Sequence, residues 1–163
     1  MAVITRVGYG YDLHRLGMGS VLTIAGVSVP AQNAFVAHSD GDVALHAMID
    51  AMLGAAGLDD IGVQFPDDDP AYKGISSSIL VGKTLEKITE KGYRPVNVDI
   101  TIIAQRPKLT DYKAKMRESI ARMLSLEYGA VSVKAKTNEG LGEIGQGHAI
   151  ACQAIVGLTE INL

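Results

Sequence analysis

The chain has 163 residues, of which 47% are hydrophobic, 20% charged and only 5% aromatic, so we expect one domain over 1–163 with an aliphatic core. Its formal net charge of −3, with no run of Lys or Arg, argues against a protein that binds nucleic acid or an anionic membrane. A single cysteine, Cys152, excludes an intrachain disulfide, and the apolar stretch around it predicts a buried thiol.

The first half of the chain predicts three strands followed by a long helix. The segments VITRVGYGYDL, VLTIAG and VSVP have the composition of strands, and the last two are interrupted at Gly26. From Ser39 to about Ala56 apolar residues recur at helical spacing, and Ser39 or Asp40 is the expected N-cap. The following segment, Asp59–Gly74, is rich in Asp, Pro and Gly and predicts a loop.

The second half alternates helices and strands. A helix is predicted from Ser76 to Lys91, then a half-buried strand in VNVDITIIAQ, then a helix capped by Thr110 or Asp111. VSVKAK and HAIACQAIVGL predict two closing strands separated by a glycine-rich turn. This order indicates an α+β fold in which helices are layered on one face of a mixed β-sheet.

The N-terminal segment gives no sign of export. MAVITRVGYGYDLHR lacks the basic region and the apolar stretch of a secretory signal. No apolar run in the chain approaches the roughly 20 residues that a membrane span needs. We therefore expect a cytoplasmic protein.

The strongest chemical pattern combines Asp12 and His14 with His46. Residues two apart on a strand share a face, so Asp12 and His14 can reach one ion. His46 falls within the predicted helix, with Asp42 and Asp50 one turn away on either side as expected partners for its second ring nitrogen. An Asp/His/His set with an open position is typical of catalytic zinc, and Mn²⁺ or Co²⁺ also accepts these ligands. The alternative is ordinary surface and capping residues, but three of the four histidines lie in two short segments, which favours a metal site.

Three further segments suggest recognition of anions or hydroxyls. His38 precedes the predicted helix start, where free backbone N–H groups favour an anion, so we place it beside a phosphate. Thr137 and Glu139 stand at a strand end, where a hydroxyl can contact phosphate and a carboxylate can hold a hard cation such as Mg²⁺. The five aspartates of DDIGVQFPDDDP form either a solvated acidic loop or a site for sugar hydroxyls. GYGYD and GLGEIGQG do not match a dinucleotide or P-loop fingerprint and are better explained as tight turns.

Four segments together resemble one enzyme family. GYGYDLHR, AHSDGDVALHAMIDAMLGAAGLDDIGVQFPDDDPAYKG, NVDITIIAQRPKL and VKAKTNEGLG are similar, in this order, to the 2-C-methyl-D-erythritol 2,4-cyclodiphosphate synthase family. The resemblance implies a metal-dependent, cyclising phosphorus–oxygen lyase of the non-mevalonate isoprenoid pathway. Its substrate would be 4-diphosphocytidyl-2-C-methyl-D-erythritol 2-phosphate, and its products the cyclic diphosphate and CMP. The resemblance also implies a homotrimer with active sites between adjacent subunits.

The same resemblance implies roles for individual residues. Asp12, His14 and His46 match the zinc ligands, and Glu139 matches the ligand of a second ion, Mg²⁺ or Mn²⁺, on the substrate diphosphate. Two positions match those that stabilise the transition state, His38 and Thr137. The expected substrate contacts are Asp12, His14, His38, Ser39, Asp60, Ile61, Gly62, Phe65, Pro66, Asp67, Asp68, Asp69, Ala104, Gln105, Arg106, Pro107, Lys108, Leu109, Thr110, Lys136, Thr137, Asn138 and Glu139.

One segment departs from the family pattern. After Leu141 and Gly142 the family often has an aromatic residue and then an Arg, whereas this chain continues with Glu143 and reaches Gln146. In relatives that Arg helps to bind an anionic isoprenoid in a cavity on the trimer axis. With Gln146 in this segment we do not expect diphosphate binding there unless His148 substitutes for the Arg.

Two other functions fit the residues less well. A zinc phosphohydrolase that uses bound hydroxide would need the same ligands but would give a linear, water-opened product. A nucleotide- or isoprenoid-binding regulator on the same trimer would bind its ligand without turnover. Such a binding protein has no need of an open zinc site, so the intact Asp12, His14 and His46 set favours the lyase.

Overall fold

A computed structural model describes residues 4–37 and 39–161 of the chain. Strands β1 to β7 are Arg6–Met18, Val21–Ile24, Val27–Pro30, Asn33–Phe35, Tyr93–Ile103, Val131–Lys136 and Ala149–Glu160. Helices α1 to α5 are Val43–Ala55, Ile61–Gln64, Ser77–Glu90, Lys113–Leu124 and Gly142–Gly145. Single turns of 3₁₀ helix lie at Pro70–Tyr72, Thr110–Tyr112 and Tyr128–Ala130.

Five of the strands form a mixed sheet in the order β4-β1-β7-β5-β6. Neighbouring strands run antiparallel except β5 and β6, which are parallel. Strands β2 and β3 form a separate hairpin. The three long helices pack on the sheet, α1 on β1 and β7, α3 on β5, and α4 on β6. Within the described ranges, no helix combines the length and the hydrophobicity needed to cross a membrane.

The architecture confirms the predicted α+β class and mixed sheet, while the ends of the elements differ. The first helix begins later than expected, because its N-cap is Asp42 rather than Ser39 or Asp40. Thr110 and Asp111 do not cap α4; they form a 3₁₀ turn that leads into it. The short elements β4, α2 and α5 were not predicted, because three or four residues are too few to show a period.

Two glycines allow α1 to approach β1 closely. Gly8 and Gly10 face the helix, and a Cβ at either position would collide with the backbone carbonyl oxygen of Ala51 or Ala47. Alternate residues of a strand share a face, so Asp12 follows on the same side of β1. The close approach therefore brings Asp12 against the first turns of α1.

Asp42 joins the N-terminus of α1 to the β2–β3 hairpin. Its fully buried carboxylate accepts hydrogen bonds from the N–H groups of Leu45 (3.1 Å), Ala25 (2.8 Å) and Gly26 (2.7 Å). Ala25 and Gly26 both have positive φ, as a two-residue hairpin turn requires. Burial raises the pKa of Asp42 to about 6 against the opposing effect of these hydrogen bonds. The carboxylate thus supports a left-handed backbone that is uncommon for alanine.

The contact between β1 and α1 can be tested with Gly10→Ala. We expect the free energy of unfolding to fall by about 3 kcal/mol or more, because the added methyl group overlaps the backbone of α1. Urea unfolding followed by circular dichroism measures this loss. Gly54→Ala is the matched control, since a Cβ at this exposed α1 position meets nothing and should stabilise the helix by about 0.5–1 kcal/mol. Equal stability of the two variants would contradict the close approach.

Candidate metal and substrate site

Asp12, His14 and His46 converge where β1 meets α1. Asp12 and His14 lie two residues apart on β1, and His46 lies in the first half of α1. Oδ2 of Asp12 is 2.9 Å from Nδ1 of His14 and 3.2 Å from Nδ1 of His46. One ligand atom from each residue lies within 4.8 Å of the others. The predicted juxtaposition of one carboxylate and two imidazoles is confirmed.

The ligand atoms of this cluster are arranged to bind an ion. Oδ2 of Asp12 and Nδ1 of His14 are buried and lie 2.9 Å apart, yet their geometry is not that of a hydrogen bond and neither has another hydrogen-bond partner among the described residues. Buried polar atoms normally have a partner, because leaving one unpaired costs about 1–3 kcal/mol. A divalent cation between these atoms would satisfy them, and carboxylate oxygen with imidazole nitrogen is a donor set that suits zinc, Mn²⁺ or Co²⁺. The residues present therefore fit a metal ion.

The electrostatics of the cluster keep Asp12 ionised. Burial raises the pKa of Asp12, but the neighbouring His14 and His46 outweigh burial and bring it down to about 2. For His46, burial lowers the pKa while the Asp12 carboxylate raises it, and the net shift is upward. The carboxylate is thus available as an anionic ligand, and an arriving cation competes with a proton on His46.

The second ring nitrogen of His46 contacts Ser77, which corrects the expectation that Asp42 or Asp50 would be its partner. Nε2 lies 2.9 Å from Oγ of Ser77 and 3.5 Å from Oγ of Ser39. The carboxylate of Asp42 is turned toward the β2–β3 hairpin. Asp50 instead accepts a backbone hydrogen bond of 2.8 Å from the start of α2. Both carboxylates are taken by backbone donors of elements that helical spacing alone does not reveal.

A cavity of about 380 Å³ opens beside the metal cluster. Besides Asp12 and His14, the expected substrate contacts that line it are Ser39, Ile61, Gly62, Phe65 and Asp67. Asp60 and Asp69 use their side chains to cap α2 and the 3₁₀ turn that starts at residue 70. Pro66 and Asp68 lie on the same loop, outside the described lining. His38, which was expected beside a phosphate, lies outside the described residues.

Sequence reasoning missed part of the cavity wall. The additional lining residues from the end of the acidic loop and the start of α3 are Tyr72, Lys73, Ile75 and Leu80. Most of these are apolar, so their composition suggested core rather than a binding wall. Lys73 is exposed and adds positive charge to a loop that otherwise carries aspartates, which was the one available signal.

Several of the expected substrate contacts that follow β5 line a second cavity, of about 880 Å³. Those that line it, from the connection after β5, are Gln105, Arg106, Pro107 and Lys108. Ala104 and Leu109 are buried at the two ends of this connection, and Thr110 begins the following 3₁₀ turn. The N–H of Ala104 donates to the carbonyl of Lys136 at 2.8 Å, which joins the connection to the end of β6.

Thr137 and Glu139 lie in an exposed turn after β6. The hydroxyl of Thr137 donates to Oε1 of Glu139 (3.2 Å) and accepts from its N–H (3.3 Å). The side-chain amide of Asn138 donates to the carbonyl of Leu141 within the turn (2.8 Å), and the N–H of Gly140 donates to Oε1 of Gln105 at 3.2 Å. Glu139 has a φ of 54°, and such left-handed backbone at a residue other than glycine is concentrated at functional sites.

Within one chain, the metal cluster and the Glu139 turn are far apart. The sheet register aligns Asp12 with Cys152, whose thiol is buried as predicted, then Cys152 with Ile102, and Ile102 with Ala135. Three strand spacings of about 4.8 Å each separate Asp12 from Ala135, which amounts to about 14 Å. Both groups lie at the same end of the sheet, but one diphosphate is too short to bridge them.

Comparison with known proteins finds relatives over nearly the whole chain. Residues 5–159 match the model of the YgbB family. A 2-C-methyl-D-erythritol 2,4-cyclodiphosphate synthase of Erwinia tasmaniensis is 51% identical over 150 residues, which cover 92% of this chain and 96% of that protein. The synthase of the same name from Proteus mirabilis is 46% identical over 158 residues, which cover 97% of this chain and 99% of that protein.

Solved structures share the fold. IspF of Plasmodium falciparum, determined as a CDP complex, is 36% identical with a TM-score of 0.84, over 96% of this chain and 97% of that chain. The bifunctional IspDF of Campylobacter jejuni is 41% identical with a TM-score of 0.91 over 95% of this chain. The present chain spans only 42% of that bifunctional protein.

The metal cluster predicts one divalent ion per chain. We expect His46→Ala to weaken Zn²⁺ binding by at least about 100-fold, because losing a ligand costs more than the 10–100-fold typical of losing an outer partner. Calorimetric titration against a competing chelator measures the affinity. His148→Ala is the matched control, since His148 is exposed and pairs with Glu143 at 2.9 Å outside the lining of the metal cavity. Similar Zn²⁺ affinities for the two variants would count against the cluster as the binding site.

Proposed function

The chain belongs to the YgbB family, and we propose that it converts 4-diphosphocytidyl-2-C-methyl-D-erythritol 2-phosphate into 2-C-methyl-D-erythritol 2,4-cyclodiphosphate with release of CMP. It is a cyclising lyase of isoprenoid biosynthesis. The observation that carries the proposal is the intact cluster of Asp12, His14 and His46 beside a cavity, in a chain 51% identical to a named cyclodiphosphate synthase.

Two groups of residues would hold the ions of this reaction. Asp12, His14 and His46 would bind zinc, because their oxygen and nitrogen donors suit it. Glu139 would bind Mg²⁺ or Mn²⁺ together with diphosphate oxygens, since a lone carboxylate leaves room for substrate ligands on a hard cation. When bound, such ions neutralise phosphate charge and polarise the phosphorus that is attacked.

The substrate carries its own nucleophile, so the chain needs none. An oxygen of the 2-phosphate forms a bond to the β-phosphorus, the bond from that phosphorus to the CMP oxygen breaks, and CMP leaves with the electron pair. The protein contributes by positioning the substrate, because holding two groups of one molecule in line can lower the activation barrier by about 7–11 kcal/mol. Ser39, on the cavity wall, and the adjacent His38 would hold a substrate phosphate in this geometry.

Other residues would orient the substrate and exclude water, whose attack would compete with cyclisation. Ile61, Phe65 and Leu80 give the metal cavity an apolar wall. At the opposite end of the substrate, Lys108 and neighbouring residues of the connection after β5 would bind the cytidine diphosphate part. The exposed hydroxyl of Thr137 would donate to the diphosphate as its charge shifts during the reaction.

A homotrimer with sites between subunits accounts for two features of the fold. The sheet face opposite the helices carries an apolar patch, the open-face patch, whose members are 45–65% exposed: Val7, Tyr9, Tyr11, Leu13 and Ile155. Soluble monomers rarely leave contiguous apolar patches of this kind uncovered. The sheet register places Asp12 about 14 Å from Ala135, on the strand that leads to the Glu139 turn, and this separation is overcome if the turn of a neighbouring subunit completes each site.

We also place the protein in the cytoplasm and treat 1–163 as one domain. The first and last strands, β1 and β7, pair in a single sheet, which supports one domain rather than two. The proposed ligand of the site is a small molecule, and neither nucleic acid nor a membrane is proposed as a ligand.

Turnover of the diphosphocytidyl substrate tests the function. With Zn²⁺ and Mg²⁺ the wild type should release CMP and form the cyclic diphosphate, identified by mass. Thr137→Ala should lower kcat by about 10²–10³-fold, the loss typical of removing one donor to a transition state. Thr89→Ala, an exposed position near the end of α3, should leave kcat unchanged. A linear product heavier by one water would indicate hydrolysis and contradict the lyase.

The assembly can be tested through the open-face patch. We expect Ile155→Glu to convert a particle of three chains into one of 17.2 kDa, because a carboxylate on this face would be buried without a partner. Equilibrium sedimentation measures the mass, and kcat should fall with it because each site needs two subunits. Ile79→Glu is the control, a similarly exposed isoleucine on α3. A wild-type mass near that of one chain would refute the trimer.

A further inference from the structure

Ser77 connects His46 to Asp40 through a partly buried chain of hydrogen bonds. Ser77 is the first residue of α3 and is fully buried. Its hydroxyl donates to Oδ1 of Asp40 in a short contact and lies 2.9 Å from Nε2 of His46. Its backbone N–H donates to Oδ2 of Asp40 at 3.0 Å. Neither Ser77 nor Asp40 has a place among the ligands and substrate contacts described above.

The direction of these hydrogen bonds follows from counting donors. A serine hydroxyl carries one hydrogen, and a carboxylate can only accept. Ser77 gives its hydrogen to Asp40, so its contact with His46 requires the hydrogen to be on Nε2. In the neutral ring, which is the form that binds metal, Nδ1 of His46 is then the nitrogen with a free lone pair, and it is the atom that faces Oδ2 of Asp12 at 3.2 Å. A lone pair and a carboxylate oxygen at this distance repel each other unless a proton or a metal ion lies between them, and a metal ion takes the place of that proton.

Ser39, the other hydroxyl near Nε2, is a weaker partner for His46. Its Oγ is 3.5 Å from Nε2, at the limit of a hydrogen bond, and already accepts from the N–H of Gly41 at 3.1 Å. Ser77 is closer, and it is also more buried. The contact that orients the ring is therefore the one with Ser77.

We propose that Asp40 and Ser77 are positioning residues, which hold His46 in the orientation and the tautomer that bind metal through Nδ1. The proposal rests on the ligand set assigned under the proposed function. Metal-bound histidines usually donate their other N–H to a carboxylate, a carbonyl or water. Here a serine hydroxyl stands between the imidazole and the carboxylate. Asp40 is itself held by the Ser76 hydroxyl (3.2 Å) and the Asp42 N–H (3.3 Å), so the chain ends on a fixed acceptor.

Zn²⁺ affinity tests the proposal without reference to turnover. We expect Ser77→Ala to weaken Zn²⁺ binding by about 10–100-fold, the usual effect of removing a partner behind a metal ligand. Ser78→Ala is the matched control, because its hydroxyl is exposed and bonds only to Ser76 among the described residues. The visible spectrum of the Co²⁺ form should change in Ser77→Ala alone. Equal Zn²⁺ affinities and unchanged Co²⁺ spectra would overturn the proposal.

The tautomer can be read directly in the wild type, so the test survives if Ser77→Ala fails to fold. In the Zn²⁺-loaded protein labelled with ¹⁵N at histidine, we expect His46 to carry its proton on Nε2 and to bind the ion through Nδ1. In Ser77→Ala the Nε2 proton should exchange faster with water. A proton on Nδ1 of the wild type would overturn the proposal. If the cyclisation fails while these readouts hold, the proposed function is wrong and the positioning role stands.

Discussion

The close approach of α1 to β1 is the contact on which the site depends. The carbonyls of Ala51 and Ala47 lie over Gly8 and Gly10, so two residues along the strand correspond to about one turn of the helix. Continuing this step brings the first turn of α1, which ends at His46, beside the next residue on the same strand face, Asp12. Side chains in place of the two hydrogens would lift the helix and separate ligands that lie 3.2 Å apart. The geometry of a polar site is thus set by two residues without side chains.

Much of the fold and the ligand set could be predicted, because both rest on local periods. Asp12 and His14 share a strand face whatever the tertiary structure. The parallel pairing of β5 with β6, in contrast, could not be predicted, because it depends on how distant segments of the chain are connected. The prediction of the hydrogen-bond partners of His46 was wrong for the same reason. Helical spacing correctly placed Asp42 and Asp50 one turn away, but backbone donors from the hairpin and from α2 take their carboxylates. The contact of Ser77 with His46 could not be predicted, because a serine at the start of a helix usually acts as an N-cap.

The two faces of the sheet have different roles. One face is covered by α1, α3 and α4 and carries Asp12 and His14 on β1, while the other carries the open-face patch. In the proposed assembly the uncovered face supplies the contacts between copies. Those contacts are also what would bring the Glu139 turn of one chain toward the Asp12 cluster of the next. A single interface would therefore account both for stability and for the completeness of the site.

The segment Asp40–Gly41–Asp42 shows how acidic residues can stabilise the interior of this small fold. Gly41 has a φ of 68°, and the two flanking carboxylates reach different elements, α3 and the β2–β3 hairpin. Asp42 is buried at a cost. Its folded pKa of about 6 lies above its ordinary 3.8, so its contribution to stability is fully present below about pH 3.8 and is lost as the pH rises through 6. The carboxylate is nonetheless needed, because three backbone N–H groups would otherwise lose their acceptor, two in the β2–β3 hairpin and one in the first turn of the helix that carries His46. Aspartates that composition would assign to a solvated surface act here as acceptors that hold the ligand-bearing helix in place.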